Sequence, residues 1–243
     1  MPSALILIAD GTEEMEFTIT YDTLVRAGVA CTSAYVPAQD APDADKDTTA
    51  LPFATCSRGL KIVPDTLFSP QAAVPEHYDL LVVPGGAKGA QTIAQRAPVQ
   101  HLVRRYLQED KYVGMICAGS LAAQTSKLPR QPLTSHPSVQ AELEKDFEYS
   151  EAPVVVSGKL VTRCVRARGL RLLMSIARKL TPPTVPPPRD PAPLLRVLCT
   201  AVVQDWRTGT AFPFALTLVE LLCGAPARAE VAGPMVFPAG TFA

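Results

Sequence analysis

Lys111-Tyr-Val-Gly-Met-Ile-Cys-Ala-Gly-Ser120 reads as a short apolar strand, Tyr112 to Ile116, that runs into a cysteine and two small residues. The helical pattern Ser120-Leu-Ala-Ala-Gln-Thr125 follows at once. A thiol at a strand-to-helix turn meets the outward-pointing N–H groups of the first helical turn, and those dipoles favour the thiolate. Ala118 and Gly119 suit such a turn because bulky side chains cannot be held beside the reactive atom. Cys117 is thus either a nucleophile on a sharp elbow or a small buried hydrophobe closing a core strand. The neighbouring segments decide between the two.

Working outward, the same strand-then-turn grammar recurs. Ala4 to Ala9 is a continuous apolar run suited to a strand buried on both faces of a parallel sheet. Asp10-Gly-Thr-Glu-Glu-Met-Glu16 follows as a turn, then a helix to Ala27 stopped by Gly28, then a strand from Val29 to Val36. Asp79-Leu-Leu-Val-Val83 is a central strand that runs into Pro84-Gly-Gly86, and Val99, Leu102, Val103, Tyr106 and Leu107 lie at helical spacing behind it. Leu60 to Val63 predicts a further strand, Val139 to Phe147 a helix, Val154 to Thr162 a hairpin turning at Ser157-Gly158, and Phe214 to Leu222 an amphipathic helix. A βαβ opening with this alternation implies a mostly parallel sheet with helices on both faces.

Composition narrows the partners. The 243 residues carry 23 basic and 23 acidic side chains, so no net charge draws nucleic acid or an anionic membrane, and 47% hydrophobic content supports a substantial core. The N-terminal apolar run is too short and wrongly flanked for a signal peptide or a spanning helix. Six cysteines without C-x-x-C spacing, with only three histidines, argue for reduced thiols in the cytoplasm or nucleus and for no metal site. One stretch departs from the rest. Residues 163–205 hold eight basic and two acidic residues and seven prolines, a basic Pro-rich insert interrupting a single domain that spans 1–238.

Open α/β sheets place their sites at the carboxyl ends of the strands. The loops there carry Glu13, Glu14 and Glu16; Gly85 and Gly86; Cys117; and His136. A carboxyl group, a thiol, an imidazole and a glycine turn with free N–H groups are the components of covalent carbonyl chemistry.

The motifs Ala9-Asp-Gly-Thr-Glu-Glu-Met-Glu16, Arg26-Ala-Gly28, Cys56-Ser-Arg58, Val83-Pro-Gly-Gly86, Ile116-Cys-Ala-Gly119 and Ser135-His-Pro137, in this order, resemble the DJ-one/PfpI superfamily. The match is with its eukaryotic glyoxalase-like and deglycase-like branch. That resemblance implies a flavodoxin-like α/β sandwich and a homodimer. It also implies Cys117 as nucleophile, Glu16 as the adjacent carboxyl, His136 as an assisting histidine, and Gly85, Gly86 and Ala118 as the oxyanion-binding backbone. Arg26 and Arg58 match positions near the site or the dimer contact. The implied reaction is a cofactor-free, glutathione-independent conversion of a small reactive carbonyl, methylglyoxal, to D-lactate, a lyase activity of the lactate dehydratase type. The same resemblance offers an oxidative-stress sensor or chaperone, or a protein deglycase, built on the same cysteine. The chain departs from the family where a Gly-Pro-Gly-Thr turn is replaced by Arg207-Thr-Gly-Thr210, directly after the insert. In family members that turn borders the site and the dimer surface.

Overall fold

A computed structural model of the chain describes residues 1–38, 52–164 and 211–237. The turn at 207–210 lies outside the described residues, as does the insert expected at 163–205 apart from Arg163 and Cys164.

The sheet is built from β1 (Ser3–Ile8), β2 (Ala30–Tyr35), β5 (Thr66–Leu67), β6 (Leu80–Val83), β7 (Tyr112–Ile116), β10 (Val154–Ser157) and β11 (Leu160–Arg163), in the order β10-β11-β7-β6-β1-β2-β5. All pairings are parallel except the hairpin β10–β11. This is the mostly parallel α/β sheet that the sequence predicts. β1 shows why: Leu5 and Leu7 enter the apolar cluster on one face, while Ala4, Ile6 and Ile8 enter the cluster on the other. A strand covered on both sides has no polar face to show, hence its unbroken apolar run.

The helices are α1 (Glu14–Arg26), α2 (Ala87–Gln95), α3 (Ala97–Gln108), α4 (Leu121–Thr125), α5 (Gln140–Leu143), α6 (Ala211–Cys223) and α7 (Ala225–Ala232). On one face α3 buries Val99, Leu102, Val103 and Tyr106, and the Tyr106 hydroxyl donates to Ala73 O at 3.0 Å. On the other face α6 lays Phe214 and Leu218 over Gly114 of β7, where a side chain would strike the Phe214 ring.

Three segments differ from expectation. α2 is not among the predicted elements, although it buries Gly89, Ala90, Ile93 and Ala94 along one face; Gly86 turns the chain into it at φ 88°, and Gly89 lets it press against Thr12. The predicted strand at Leu60 to Val63 shrinks to β4 (Lys61–Ile62), which pairs antiparallel with β3 (Ala54–Thr55) in a hairpin outside the main sheet. The helix expected from Val139 to Phe147 is a short 3-10 turn, Pro137–Val139, followed by α5. A turn then buries Phe147 and leads into β9 (Glu148–Tyr149), which pairs with β8 (Pro132–Leu133).

Candidate active site

The strand order reverses direction at β1 and β6, and crevices at such switch points are where open α/β sheets hold ligands. The loops leaving β1, β6 and β7 meet there.

The loop after β7 is an elbow. Ile116 ends the strand, Cys117 takes φ 61°, and a 3-10 turn, Cys117–Ser120, starts the helix. A non-glycine residue in this left-handed region costs about 1–3 kcal/mol and persists only where its surroundings hold it. Several contacts do so. Gly119 sits against the Val83 and Pro84 carbonyls, with no room for a side chain. Ser120 Oγ donates to Thr134 O at 2.9 Å, and His136 N donates to Cys117 O at 3.1 Å. The elbow and the loop after β8 are thereby locked together.

The first turn of α1 delivers three carboxyl groups, and each goes to a different place. Glu13 is the N-cap, its Oε2 accepting from Glu16 N at 2.7 Å, while its own N–H donates to Gly85 O at 3.0 Å. Glu14 turns to the β3–β4 hairpin, accepting from Ser57 Oγ and Arg58 N, both at 2.7 Å. Glu16 points inward. It is only 2% exposed, accepts from Gly85 N at 2.9 Å through Oε2, and hydrogen-bonds the Cys117 thiol.

Protonation follows from these surroundings. Burial pushes the Glu16 carboxyl up to about 8, with Glu13's charge adding to the rise, while the hydrogen bonds from Cys117 and Gly85 oppose it. Cys117 is also pushed well above the usual thiol value, first by burial and then by the negative charge of Glu16 and its hydrogen bond. This runs against the depressed thiol that the helix start predicts. The N–H groups of Ala118 and Gly86, both directed at the sulfur, pull the other way. Two acids in contact, one of them buried and the other only partly exposed, do not both ionise readily, so they share a proton and titrate as a pair. Ionisation of the sulfur is favoured when Glu16 keeps that proton, because the like charge beside it is then gone.

The structure therefore brings Glu16, Cys117, Gly85, Gly86 and Ala118 together, with one change of role. Gly85, expected among the oxyanion donors, gives its N–H to Glu16; the amides aimed at the sulfur are those of Gly86 and Ala118. Gly85 also lacks space for a Cβ, which would land on Glu16 Oε2 and the Cys117 side chain. His136 touches the elbow through its backbone, and its Nδ1 accepts from Ser138 N at 3.1 Å and lies 2.7 Å from Ser138 Oγ. Arg26 is an exposed partner of Asp22 at 2.6 Å, and Arg58 reaches Glu14 with its main chain. The sequence reading missed Thr12, whose Oγ1 accepts from Ala9 N at 3.0 Å and folds the loop that delivers α1. A small hydroxyl residue in the turn after a strand is its only sequence signal.

Comparison with known proteins gives a consistent picture. Residues 2–179 match the sequence profile of the DJ-1/PfpI family. The glutathione-independent glyoxalase DJ-1 of Schizosaccharomyces pombe is 33% identical over 188 residues, covering 74% of this chain and 93% of the relative. The glutathione-independent glyoxalase DJR-1.2 of Caenorhabditis elegans is 26% identical over 201 residues, covering 82% and 97%. Among solved structures, S. pombe DJ-1 superposes with a TM-score of 0.70 at 26% identity, covering 97% of this chain and all of the other. Drosophila melanogaster DJ-1beta superposes with a TM-score of 0.69 at 27% identity, covering 96% of each.

Proposed function

As a chain that belongs to the DJ-1/PfpI family, this protein is, we propose, a glutathione-independent glyoxalase that converts methylglyoxal to D-lactate, with Cys117 as nucleophile and Glu16 as proton carrier. The observation that carries the reading is the placement of one sulfur between a proton-holding carboxyl and two N–H groups, those of Gly86 and Ala118. Two relatives that bear the glyoxalase name support the same activity.

The reaction is an internal redox step plus hydrolysis. The Cys117 sulfur adds to the aldehyde carbon; a C–S bond forms and the carbonyl oxygen, stabilised by the Gly86 and Ala118 N–H groups, takes the proton that the Cys117–Glu16 pair had shared. Glu16, now a carboxylate, removes the hydrogen of that carbon as a proton and returns it to the adjacent ketone carbon, while the hydroxyl proton on the first oxygen passes to the second. The first carbon is thereby oxidised to a thioester and the second reduced to an alcohol. Water then cleaves the C–S bond, releasing the hydroxy acid and restoring the thiol. Net, one water is added and no outside oxidant or reductant takes part. A carboxyl whose burial holds it near neutral pH can both donate and accept in such a cycle, which one at its usual value cannot do well. In this scheme His136 assists by fixing the elbow through its N–H to Cys117 O.

Lactate formation from methylglyoxal by the purified chain, without glutathione, tests the proposal. Cys117→Ala is expected to lower kcat/KM by about 10³-fold or more. Equal rates for wild type and variant would remove the assignment.

A further inference from the structure

Beside the elbow, a cavity of about 310 Å³ opens between α2 and α4. Ala118, whose N–H is directed at the Cys117 sulfur, lines it, as does Ala87, the chain neighbour of Gly86. A three-carbon aldehyde on the sulfur fills little of it; cavities of this size hold ligands of many more atoms.

The walls identify the chemistry. Gln91 and Gln95 of α2, Thr125 of α4, and Ser138 and Glu142 beyond them supply two amides, two hydroxyls and a carboxylate. Such a set offers donors and acceptors on more than one wall, the pattern that reads successive hydroxyl groups. No Lys, Arg or His is among the described residues that line it, so nothing there answers a phosphate or carboxylate tail. Leu121 and Val139 supply apolar surface for the carbons between the hydroxyls.

We infer that the site also takes sugar-derived 2-oxoaldehydes, whose neutral polyhydroxylated tail lies in the cavity between α2 and α4 while the aldehyde reacts at Cys117. This rests on the glyoxalase reading above and names a substrate class for it. The chemistry is unchanged in atoms and electrons: the aldehyde carbon is oxidised to the acid level, the neighbouring ketone is reduced to an alcohol, and one water enters. The product is the polyhydroxylated 2-hydroxy acid.

The test measures kcat/KM of the full chain for methylglyoxal and for 3-deoxyglucosone, in wild type, Gln91→Trp and Thr125→Val. Wild type is expected to turn over both. Gln91 is exposed, so the indole is tolerated by the fold and fills the cavity. The ratio of long-substrate to short-substrate kcat/KM is expected to fall about tenfold in Gln91→Trp and severalfold in Thr125→Val, with the change carried by KM. Should Gln91→Trp not fold, the smaller Thr125→Val change still decides. Turnover of methylglyoxal without 3-deoxyglucosone, or an unchanged ratio in the folded variants, overturns this inference and leaves the glyoxalase reading standing. Failure to turn over either aldehyde removes both.

Discussion

The elbow at Cys117 and the hairpin at Cys56 both lean on the first turn of α1, yet that turn gives them opposite kinds of acid. Glu16 goes to the elbow, where burial outweighs its hydrogen bonds and raises it to about 8. Glu14 goes to the hairpin, where burial also pushes upward, but hydrogen bonds from Ser57, from its own N–H and from Arg58 outweigh it and hold the carboxyl below its usual value. The thiols differ in the same way. Cys56 is pushed up to about 11 by burial and by the charges of Glu14, Glu13 and Asp10, whereas Cys117 has two amides drawing it down. An acid near a thiol does not make the thiol reactive. What distinguishes the elbow is a carboxyl able to hold a proton together with N–H groups aimed at the sulfur.

Exchanging the proton holder for a neutral group is the strongest way to break this contrast. Glu16→Gln keeps an acceptor for Gly85 N but cannot move a proton, so lactate formation is expected to fall about 10²–10⁴-fold with the fold intact. The same variant sharpens the electrostatic side. In the unfolded chain the Glu16 carboxyl ionises near 4.5, and in the folded protein near 8. Its contribution to stability is full below about 4.5 and is lost as pH rises towards 8, because only the unfolded state can release the proton in that window. Denaturant titrations at pH 4.5 and 8 should show a loss on the order of a few kcal/mol in wild type that is absent in Glu16→Gln.

Gly85→Ala probes the packing that forces the pair together. Its methyl group overlaps Glu16 Oε2 and the Cys117 side chain, so a loss of about 1–3 kcal/mol in thermal or chemical denaturation and a large drop in turnover are expected. A fully active Gly85→Ala would show that the two groups need not touch. His136→Ala keeps the backbone bond to Cys117 O and loses the imidazole contacts with Ser138, so kcat is expected to change by no more than about twofold, far short of either acid or thiol variant. Ser57→Ala removes one hydrogen bond from Glu14. A change of about 0.5–1.5 kcal/mol in stability with unaltered kcat/KM is expected, and any loss of turnover there would tie the hairpin to the chemistry.

Much of this architecture was legible beforehand. The apolar runs of β1, β6 and β7, each ending in a small-residue turn, specify a parallel sheet because only strands covered on both faces are apolar throughout. The short β3–β4 hairpin was less legible, since a two-residue ladder leaves almost no periodic signal, and α2, although Ala90, Ile93 and Ala94 share one face, was hidden because its buried stripe is made mostly of small residues.

By itself, the order of residues determined that a cysteine would stand on a bend between a strand and a helix, with glycines and a carboxyl-rich turn at neighbouring strand ends. Those features are local: they depend on side-chain size, on the φ each residue tolerates, and on the period of the apolar pattern. Only the tertiary structure decided which of Glu13, Glu14 and Glu16 faces the sulfur, that Gly85 serves Glu16 while Gly86 and Ala118 serve Cys117, and that both acids are pushed upward. The reason is that hydrogen-bond partners and the exclusion of water are set across elements far apart in the chain, 69 residues for Glu16 and Gly85 and 43 for Glu14 and Ser57. No local pattern carries that information.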